Sequence, residues 1–461
     1  MSATFTVDEI LTLDGAVLYG ATITPDQAFS ISTDSRAIRA DQDLYLALKG
    51  ERFDGHSFVL KAFENGAGLA IIDSASALSV SQNLPAEYSN RPMVSVPNTL
   101  AAYQGLARLY LRRHSAKVIA ITGSSGKTTT KEMTAAATSC RVVHKSLANE
   151  NNEIGVPKTI LSMPAETQIL ILEMGMRGLG QIAELAACGL PDIGVITCAG
   201  TAHIELLGSR ENIARAKCEL LAALDSERGR AIIGDGSDYL LAQARQDFSG
   251  PIEVCPALEI VRVDSQGTTF KIPDSASEQE FFVRAHGRVL LEDAWCAVAA
   301  ARAAGLSDSE IAAGLSKFEA VEGRGNAVQS SHGATIVDES YNANPDSMRC
   351  AVEAILSHAY PQPDKIVVLG AMAELGDFSE PLHLELGRWL KDKPISLLVT
   401  VGPVASAIAS GAKGASYEIA AVATQDEALG RVLPRLGRDS CVMVKGSHST
   451  NLDKLVQNIL Q

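Results

Sequence analysis

The eight cysteines form no Cys-x-x-Cys pair. Cys140, Cys188, Cys198, Cys218, Cys255, Cys296, Cys350 and Cys441 are scattered along the chain. This argues against a disulfide framework and suits reduced, mostly buried thiols in a cytoplasmic protein. The first residues carry no basic-then-apolar signal pattern. No run approaches the ~18 apolar residues of a membrane span, so membrane insertion is not expected. Low-complexity tracts and internal repeats are also missing. Positive charge is in short supply, with 40 Lys and Arg against 54 Asp and Glu and a net charge of −14. A broad nucleic-acid surface is therefore not expected, whereas local cationic pockets for small anions remain open. Apolar content is an ordinary 46%, and 461 residues suggest three domains at about 150 residues each.

One stretch stands out against these absences. It runs Val118-Ile119-Ala120-Ile121-Thr122-Gly123-Ser124-Ser125-Gly126-Lys127-Thr128-Thr129-Thr130. An apolar strand leads into small residues, and a lysine and three threonines then open a helix. Backbone N–H groups in such a loop converge on phosphate oxygens, and the helix N-terminus adds positive dipole. Gly123, Ser124, Ser125, Gly126 and Thr129 would shape the cradle. Lys127 would reach the β/γ-phosphates, and Thr128 would offer its hydroxyl to Mg²⁺. The strict pattern asks for a glycine where Ile121 stands. The competing reading is a plain Gly/Ser turn between a strand and a helix.

Around this stretch the chain reads as α/β throughout. Residues 1–97 form a small α/β unit, with helices at 7–13 and 58–65 and strands at 29–32, 44–48 and 69–72. A boundary falls at Pro97-Asn98-Thr99. Residues 98–321 alternate strand and helix, which predicts a mostly parallel sheet. Its strands are placed at 141–144, 168–172, 192–198 and 230–234, and short strands with Gly and Pro turns at 252–284. Helices are expected at 100–114, 210–224, 293–304 and 308–318. Residues 322–461 look Rossmann-like, with strands at 334–338, 365–369, 396–401 and 441–444. Leu369-Gly370-Ala371-Met372-Ala373 lacks the G-x-G-x-x-G spacing, so this fold is no evidence for NAD.

In such sheets ligand groups gather at the carboxyl ends of strands. Glu173 ends one apolar strand, and is either an oxygen ligand for phosphate-bound Mg²⁺ or a solvated strand-end acid. His203 follows another strand and is either a site residue or structural. Asn149-Glu150-Asn151-Asn152-Glu153-Ile154-Gly155 is an amide-rich cluster, either a turn or a set of donors to phosphate. Lys217 reads from pattern alone as a surface lysine. Two polar clusters of the first unit, around Arg36 and Arg52, are either solvated turns or anion sites. The residues alone thus lead to an ATP- or GTP-using enzyme with Mg²⁺, with hydrolysis, phosphoryl transfer and ligation all open.

Taken together these clusters resemble the Mur ligase family. The carrying segments are Ser32-Thr33-Asp34-Ser35-Arg36, residues 47–56, Thr122 to Thr129, Asn149 to Pro157, and Glu173-Met174-Gly175. Further on come residues 199–205, Asp338-Glu339-Ser340-Tyr341-Asn342-Ala343-Asn344-Pro345, and Lys445-Gly446-Ser447. The resemblance implies a UDP-sugar-peptide domain, a central ATPase domain with a P-loop-type sheet, and a C-terminal Rossmann-like domain. It implies an ATP-dependent amide-bond-forming ligase of peptidoglycan synthesis. The first-domain motifs and residues 340–345 point to the member that joins D-alanyl-D-alanine to UDP-N-acetylmuramoyl-tripeptide, working as a cytoplasmic monomer. Lys127, Glu173, His203 and Lys217 would be the catalytic set. Thr128 and Glu173 would hold one Mg²⁺, and His203 would belong to a second Mg²⁺ site. Lys217 would match the family's carbamylated lysine and so join the metal ligands. Asn152, Arg324 and Asp338 would meet the nucleotide. Ser35, Arg36 and Arg52 would line the UDP-sugar site, and Tyr341, Asn342 and Asn344 would lie near nucleotide and dipeptide. The alternatives are another amino-acid-adding member or a P-loop NTPase without ligase activity.

Three departures stand out. The family's His-Asn-x-x-Asn helix start reads Leu290-Leu291-Glu292-Asp293-Ala294-Trp295-Cys296 here, so no adenine contact is carried over. Its Lys-Gly-Ser-Arg becomes Lys445-Gly446-Ser447-His448, and its Gly-Asp-Met becomes Gly370-Ala371-Met372.

Overall fold

The computed structural model describes residues 3–50, 53–264, 266–273 and 277–461. Arg52, expected at the sugar site, lies outside the described residues. By contacts the chain divides into two compact units. One comprises Met1–Val118, Val142–Met174 and Glu184–Leu190; the other comprises Ile119–Arg141, Gly175–Ala183 and Pro191–Gln461.

The first unit begins with a capping box. Thr6 accepts from the Glu9 backbone while the Glu9 carboxylate accepts from the Thr6 N–H. The helix it starts, Val7–Ile10, is shorter than the expected span of 7–13. The unit has β1 (Thr4–Thr6) before this helix and β2 (Val17–Tyr19), β3 (Ala28–Ser32), β4 (Asp43–Leu46), β5 (Leu69–Asp73) and β6 (Met93–Val96) after it. They form one sheet in the order β1-β3-β4-β5-β6-β2. The interior pairs are parallel, whereas β1 and β2 pair antiparallel at the edges. Tyr45, Val59, Phe63, Ala70 and Ile72 pack into one buried cluster. Each such side chain contributes roughly 1.5–3 kcal/mol by leaving water. Asn98 then caps the helix Thr99–Arg112 by accepting from the Ala101 N–H. In the same unit β8 (Val143–Lys145) and β9 (Ile169–Glu173) run parallel. All five residues of β9 are buried.

The second unit carries most of β7 (Lys117–Thr122), which pairs in parallel with β10 (Ile193–Ile196). β11 (Arg230–Ile233) and β12 (Ile252–Val254) extend that parallel run. The short strands expected at 252–284 include an antiparallel sheet of β13 (Glu259–Asp264), β14 (Gly267–Lys271) and β15 (Phe281–Val283). The helix expected from 293 starts earlier, at Arg288, and runs to Ala303.

A further sheet of this unit has six strands. They are β16 (Asn326–Gln329), β17 (Thr335–Glu339), β18 (Asp364–Leu369), β19 (Leu397–Val401), β20 (Glu418–Val422) and β21 (Ser440–Lys445). Their order is β16-β17-β21-β18-β19-β20, parallel except for β16. The central strands β19 and β21 are buried at every residue. This is the continuous apolar run expected of a parallel strand covered on both faces. All eight cysteines are free, and Cys140 alone among them is exposed. Among the described residues no helix is long and apolar enough to cross a membrane.

Candidate active site

β7 ends at Thr122 and the backbone then makes two close approaches. A Cβ on Gly123 would lie 1.8 Å from Thr197 Oγ1, and one on Gly126 would lie 2.3 Å from Asp293 Oδ1. Gly126 also sits at φ 80°, where a side chain is strained. These contacts explain why only glycine suits either position. The Ser124 N–H donates to Cys198 O at 3.0 Å, and Thr197 Oγ1 donates to Ser125 O at 2.5 Å. The helix Lys127–Ala137 then begins with no side-chain cap. An uncapped helix start behind a small-residue turn is an anion site. Lys127 Nζ folds back to donate to Gly123 O at 2.8 Å. Ser124 Oγ is buried without a hydrogen-bond partner, a donor left for a ligand oxygen. The loop thus offers donors of the kind that suit phosphate oxygens.

Asp293 props the loop from beneath. It is fully buried and accepts from Thr130 Oγ1 at 3.1 Å. Burial pushes its carboxyl up to about 8, so it carries a proton at neutral pH.

Lys217 overturns the surface reading. It lies on the helix Arg210–Ala222 and is 1% exposed. Desolvation lowers its ammonium to about 7, and the nearby Lys127 charge acts in the same direction. The signal was in the spacing. Ile213, Lys217, Leu220 and Leu221 recur at i, i+4, i+7 and i+8, and all four are buried.

His203 stands at φ 64°, just before the short helix Ile204–Leu207. Its Nδ1 approaches Glu374 Oε2 at 2.7 Å, without the alignment of a hydrogen bond. Glu374 itself stands at φ 59°, a left-handed conformation that costs a non-glycine residue about 1 kcal/mol or more. The loop around it is held from elsewhere in this unit. The Met372 N–H donates to His383 Nε2 at 3.0 Å, and the Ala373 N–H donates to Ser447 Oγ at 2.7 Å. His383 is fully buried and its Nδ1 lies 2.7 Å from Ser379 O. Burial lowers its imidazolium, so the neutral ring donates from Nδ1 and accepts at Nε2.

The carboxyl ends of β17 and β21 supply a second group. Arg324 lies over the Tyr341 ring at 4.1 Å, and the His448 ring follows at 5.9 Å between centroids. Tyr341 is partly exposed, so this stack offers an aromatic face. Asp338 is buried and accepts from Ser340 N and Oγ at 3.0 and 2.6 Å. Lys445 is buried and donates to Glu339 and to Asn342 O. The Asn342 side chain accepts from Ala343 N. Asn344 caps the helix Pro345–Ile355 and donates from Nδ2 to Ser124 O at 3.4 Å. Asp346 Oδ2 accepts from Thr201 N and Oγ1 at 2.8 and 2.9 Å, and Oδ1 accepts from Arg210 at 3.2 Å. Sequence reasoning passed over Asp346, Glu374 and His383, and gave Asp293, within the altered helix start, no role.

The first unit holds the remaining candidates. Glu173 is 2% exposed; its N–H donates to Ser146 Oγ and its Oε1 accepts from Asn151 Nδ2 at 3.0 Å. A buried strand-end carboxylate is not the solvated acid of the bland reading. Asn152 Oδ1 accepts from the Ile154 and Gly155 N–H groups. Ser35 is buried and its carbonyl accepts from Asn65. Arg36 is exposed and pairs with Asp34 at 2.9 Å. The hydroxyl of Thr128 and the carboxylate of Glu173 are hard oxygen donors, which suits Mg²⁺ by type.

Three family models match the chain. The Mur ligase family catalytic domain matches residues 29–111, the Mur ligase middle domain residues 121–301, and the Mur ligase glutamate ligase domain residues 323–448. The UDP-N-acetylmuramoyl-tripeptide–D-alanyl-D-alanine ligase of Bacillus subtilis (strain 168) is 34% identical over 439 residues, 94% of this chain and 93% of that protein. The crystal structure of MurF from Acinetobacter baumannii superimposes with a TM-score of 0.87 at 30% identity, covering 100% of this chain and 99% of that one. MurF ligase from Thermotoga maritima in complex with ADP gives 0.79 at 27% identity, covering 93% and 96%.

Proposed function

This chain belongs to the Mur ligase family, and from that premise we propose that it joins D-alanyl-D-alanine to UDP-N-acetylmuramoyl-tripeptide at the expense of ATP. One observation carries the reading. Similarity to a ligase of that name runs through 94% of the chain, and the phosphate loop within it is intact. The protein acts as a cytoplasmic monomer in peptidoglycan precursor synthesis.

The chemistry starts from a poor acyl donor. A peptide carboxylate attacks the γ-phosphate, forming an acyl phosphate and releasing ADP. The amine of D-alanyl-D-alanine then attacks the activated carbonyl, and the tetrahedral intermediate expels phosphate. Loop N–H groups, Ser124 Oγ and Lys127 hold phosphate oxygens as negative charge shifts among them. Thr128 and Glu173 would hold one Mg²⁺ and His203 would belong to a second site; the metal would supply positive charge for the transferring group. Lys217 is suited to carbamylation, because a buried amine with a lowered pKa is neutral often enough to react with CO₂. The resulting carbamate supplies anionic oxygens where an ammonium would repel a cation. Arg324, Asp338, Tyr341, Asn342 and Asn344 meet nucleotide and dipeptide, with Asn152 on the nucleotide. Ser35 and Arg36 line the UDP-sugar site, with domains at 1–97, 98–321 and 322–461.

Phosphate release from Mg²⁺-ATP tests this directly. Release is expected only with both UDP-N-acetylmuramoyl-tripeptide and D-alanyl-D-alanine present. Equal release without either substrate would sink the ligase reading in favour of a simple NTPase.

A further inference from the structure

The first unit holds a buried histidine that the proposed chemistry does not use. His56 is 8% exposed and lies in the short helical turn Gly55–Phe58 that follows β4. The Asp73 N–H, at the end of β5, donates to its Nε2 at 2.9 Å. Nε2 is therefore an acceptor, which leaves the ring proton on Nδ1. Nδ1 donates that proton to Asp54 Oδ1 at 2.5 Å. The same carboxylate oxygen accepts from the His56 backbone N–H at 3.0 Å. Asp73 in turn accepts from the Thr99 N–H at 2.7 Å, where the helix Thr99–Arg112 begins. One ring thus ties the turn after β4 to the end of β5 and, through Asp73, to that helix.

The turn that ends at Asp54 is a small hairpin. Lys49 and Asp54 form an antiparallel bridge, the Gly50 N–H donates to Phe53 O at 2.9 Å, and the Gly55 N–H donates to Leu48 O at 2.8 Å. The buried Tyr45 hydroxyl supports it by donating to Gly55 O at 2.9 Å. Burial pushes that hydroxyl up to about 12, and the charges of Asp34 and Asp54 act in the same direction. The Asp54 hairpin and the Asp34–Arg36 turn therefore flank one tyrosine. The strands they leave are neighbours, with Ser32 of β3 paired to Tyr45 of β4. Both turns rise from the carboxyl ends of parallel strands, where such sheets gather ligand groups. They present an exposed aromatic ring, Phe53, and an exposed guanidinium, Arg36. The sugar-site residue Arg36 and the His56 network thus share one edge of one sheet.

Resting on the ligase reading above, we propose that His56 is a positioning residue for the UDP-sugar-peptide site. It acts through Asp54. The Nδ1 proton fixes the carboxylate, and the carboxylate fixes the hairpin beside the Arg36 turn. The bond from Asp73 to Nε2 holds the ring itself in place. Because the ring is buried behind the hairpin, its effect falls on the affinity for one substrate and spares the chemical step.

Two substitutions separate the two ring bonds. In His56→Asn an amide N–H takes the place of Nδ1, whereas in His56→Gln a carbonyl oxygen takes the place of Nε2. Both are compared with wild type and Asp54→Ala in the phosphate-release assay. His56→Gln and Asp54→Ala should each raise the KM for UDP-N-acetylmuramoyl-tripeptide about ten-fold. The KM values for ATP and D-alanyl-D-alanine, and kcat, should stay within about two-fold. His56→Asn keeps the donor to Asp54 and should recover most of the affinity, to within about three-fold of wild type. Combining His56→Gln with Asp54→Ala should do no more than Asp54→Ala alone, because both remove the same contact. The Asp54 side chain is 44% exposed, so Asp54→Ala carries the test if His56→Gln fails to fold. An unchanged KM for the UDP-sugar peptide, equal losses in His56→Asn and His56→Gln, additive effects in the double variant, or a parallel rise in all three KM values would overturn the proposal. No phosphate release by wild type with all substrates present would instead overturn the ligase reading itself.

Discussion

The phosphate loop and the loop after β18 both leave the carboxyl end of a buried parallel strand, but they are held by opposite means. The first is shaped by its own residues. Gly123 and Gly126 allow the backbone to pass within contact distance of Thr197 and Asp293. The second holds a glutamate in left-handed backbone by clamps that are distant in sequence, with Ser447 74 residues from the Ala373 it binds. A loop whose path is set by its own glycines can be read locally, even though Thr197 and Asp293 also support it. A loop held by others can be loosened without touching it.

Substitutions can press on that contrast. Lys127→Ala strikes the self-encoded loop and should lower kcat/KM by about 10³ or more, read by phosphate release. Retention within about tenfold would dethrone the loop as the reacting site. Lys217→Ala should cost about 10²–10³, with partial recovery on adding short carboxylates that replace the carbamate oxygens. Full activity would make Lys217 a packing residue, and carbon-13 NMR with labelled bicarbonate would look for the carbamate itself. Ser447→Ala acts on the other loop at a distance. It should cost about 1 kcal/mol of stability, with ATP handling preserved. An ATP defect of the same size would erase the distinction between the two loops.

Asp293→Asn should affect turnover least and shows instead in stability against pH. The folded-state pKa of Asp293 lies near 8, above the ordinary value of 3.8. Its contribution is fully present below about pH 4 and is lost as pH rises toward about 8. The amide has no proton to give up. Denaturation at pH 5 and pH 8 should therefore show wild type losing more stability than the variant, by on the order of a few kcal/mol. Parallel losses would mean that the carboxyl is ionised in the folded protein.

Legibility in the sequence followed the range of the forces involved. The strand, loop and helix around Lys127 rest on neighbours in the chain, and so do the buried strands β9, β18 and β21. The edge strands β2 and β20 went unread. They are short or half-exposed, and their apolar alternation is weak. The extent of the helix Arg288–Ala303 was missed because its first turn, Arg288 to Leu291, holds one buried residue. Lys217 was readable in principle, because its position continues a buried stripe. Glu374 was not, since its backbone depends on His383 and Ser447 meeting it in space. Asp293 lay in plain sight as a departure from the family pattern, but the loop it supports is about 165 residues earlier in the chain.

The solitary exposed thiol makes this protein easy to label. Cys140 follows the helix that starts at Lys127, and its sulfur faces solvent near Arg141 and Glu310. Burial pushes the thiols of Cys188, Cys218, Cys255 and Cys350 up to about 12, and that of Cys441 to about 11. Cys296 is raised further by complete burial. Cys198 is half-buried with its sulfur 3.2 Å from Ser125 Oγ. A maleimide fluorophore at neutral pH should therefore conjugate first at Cys140. It would give the unmodified sequence a reporter beyond the far end of the helix Lys127–Ala137.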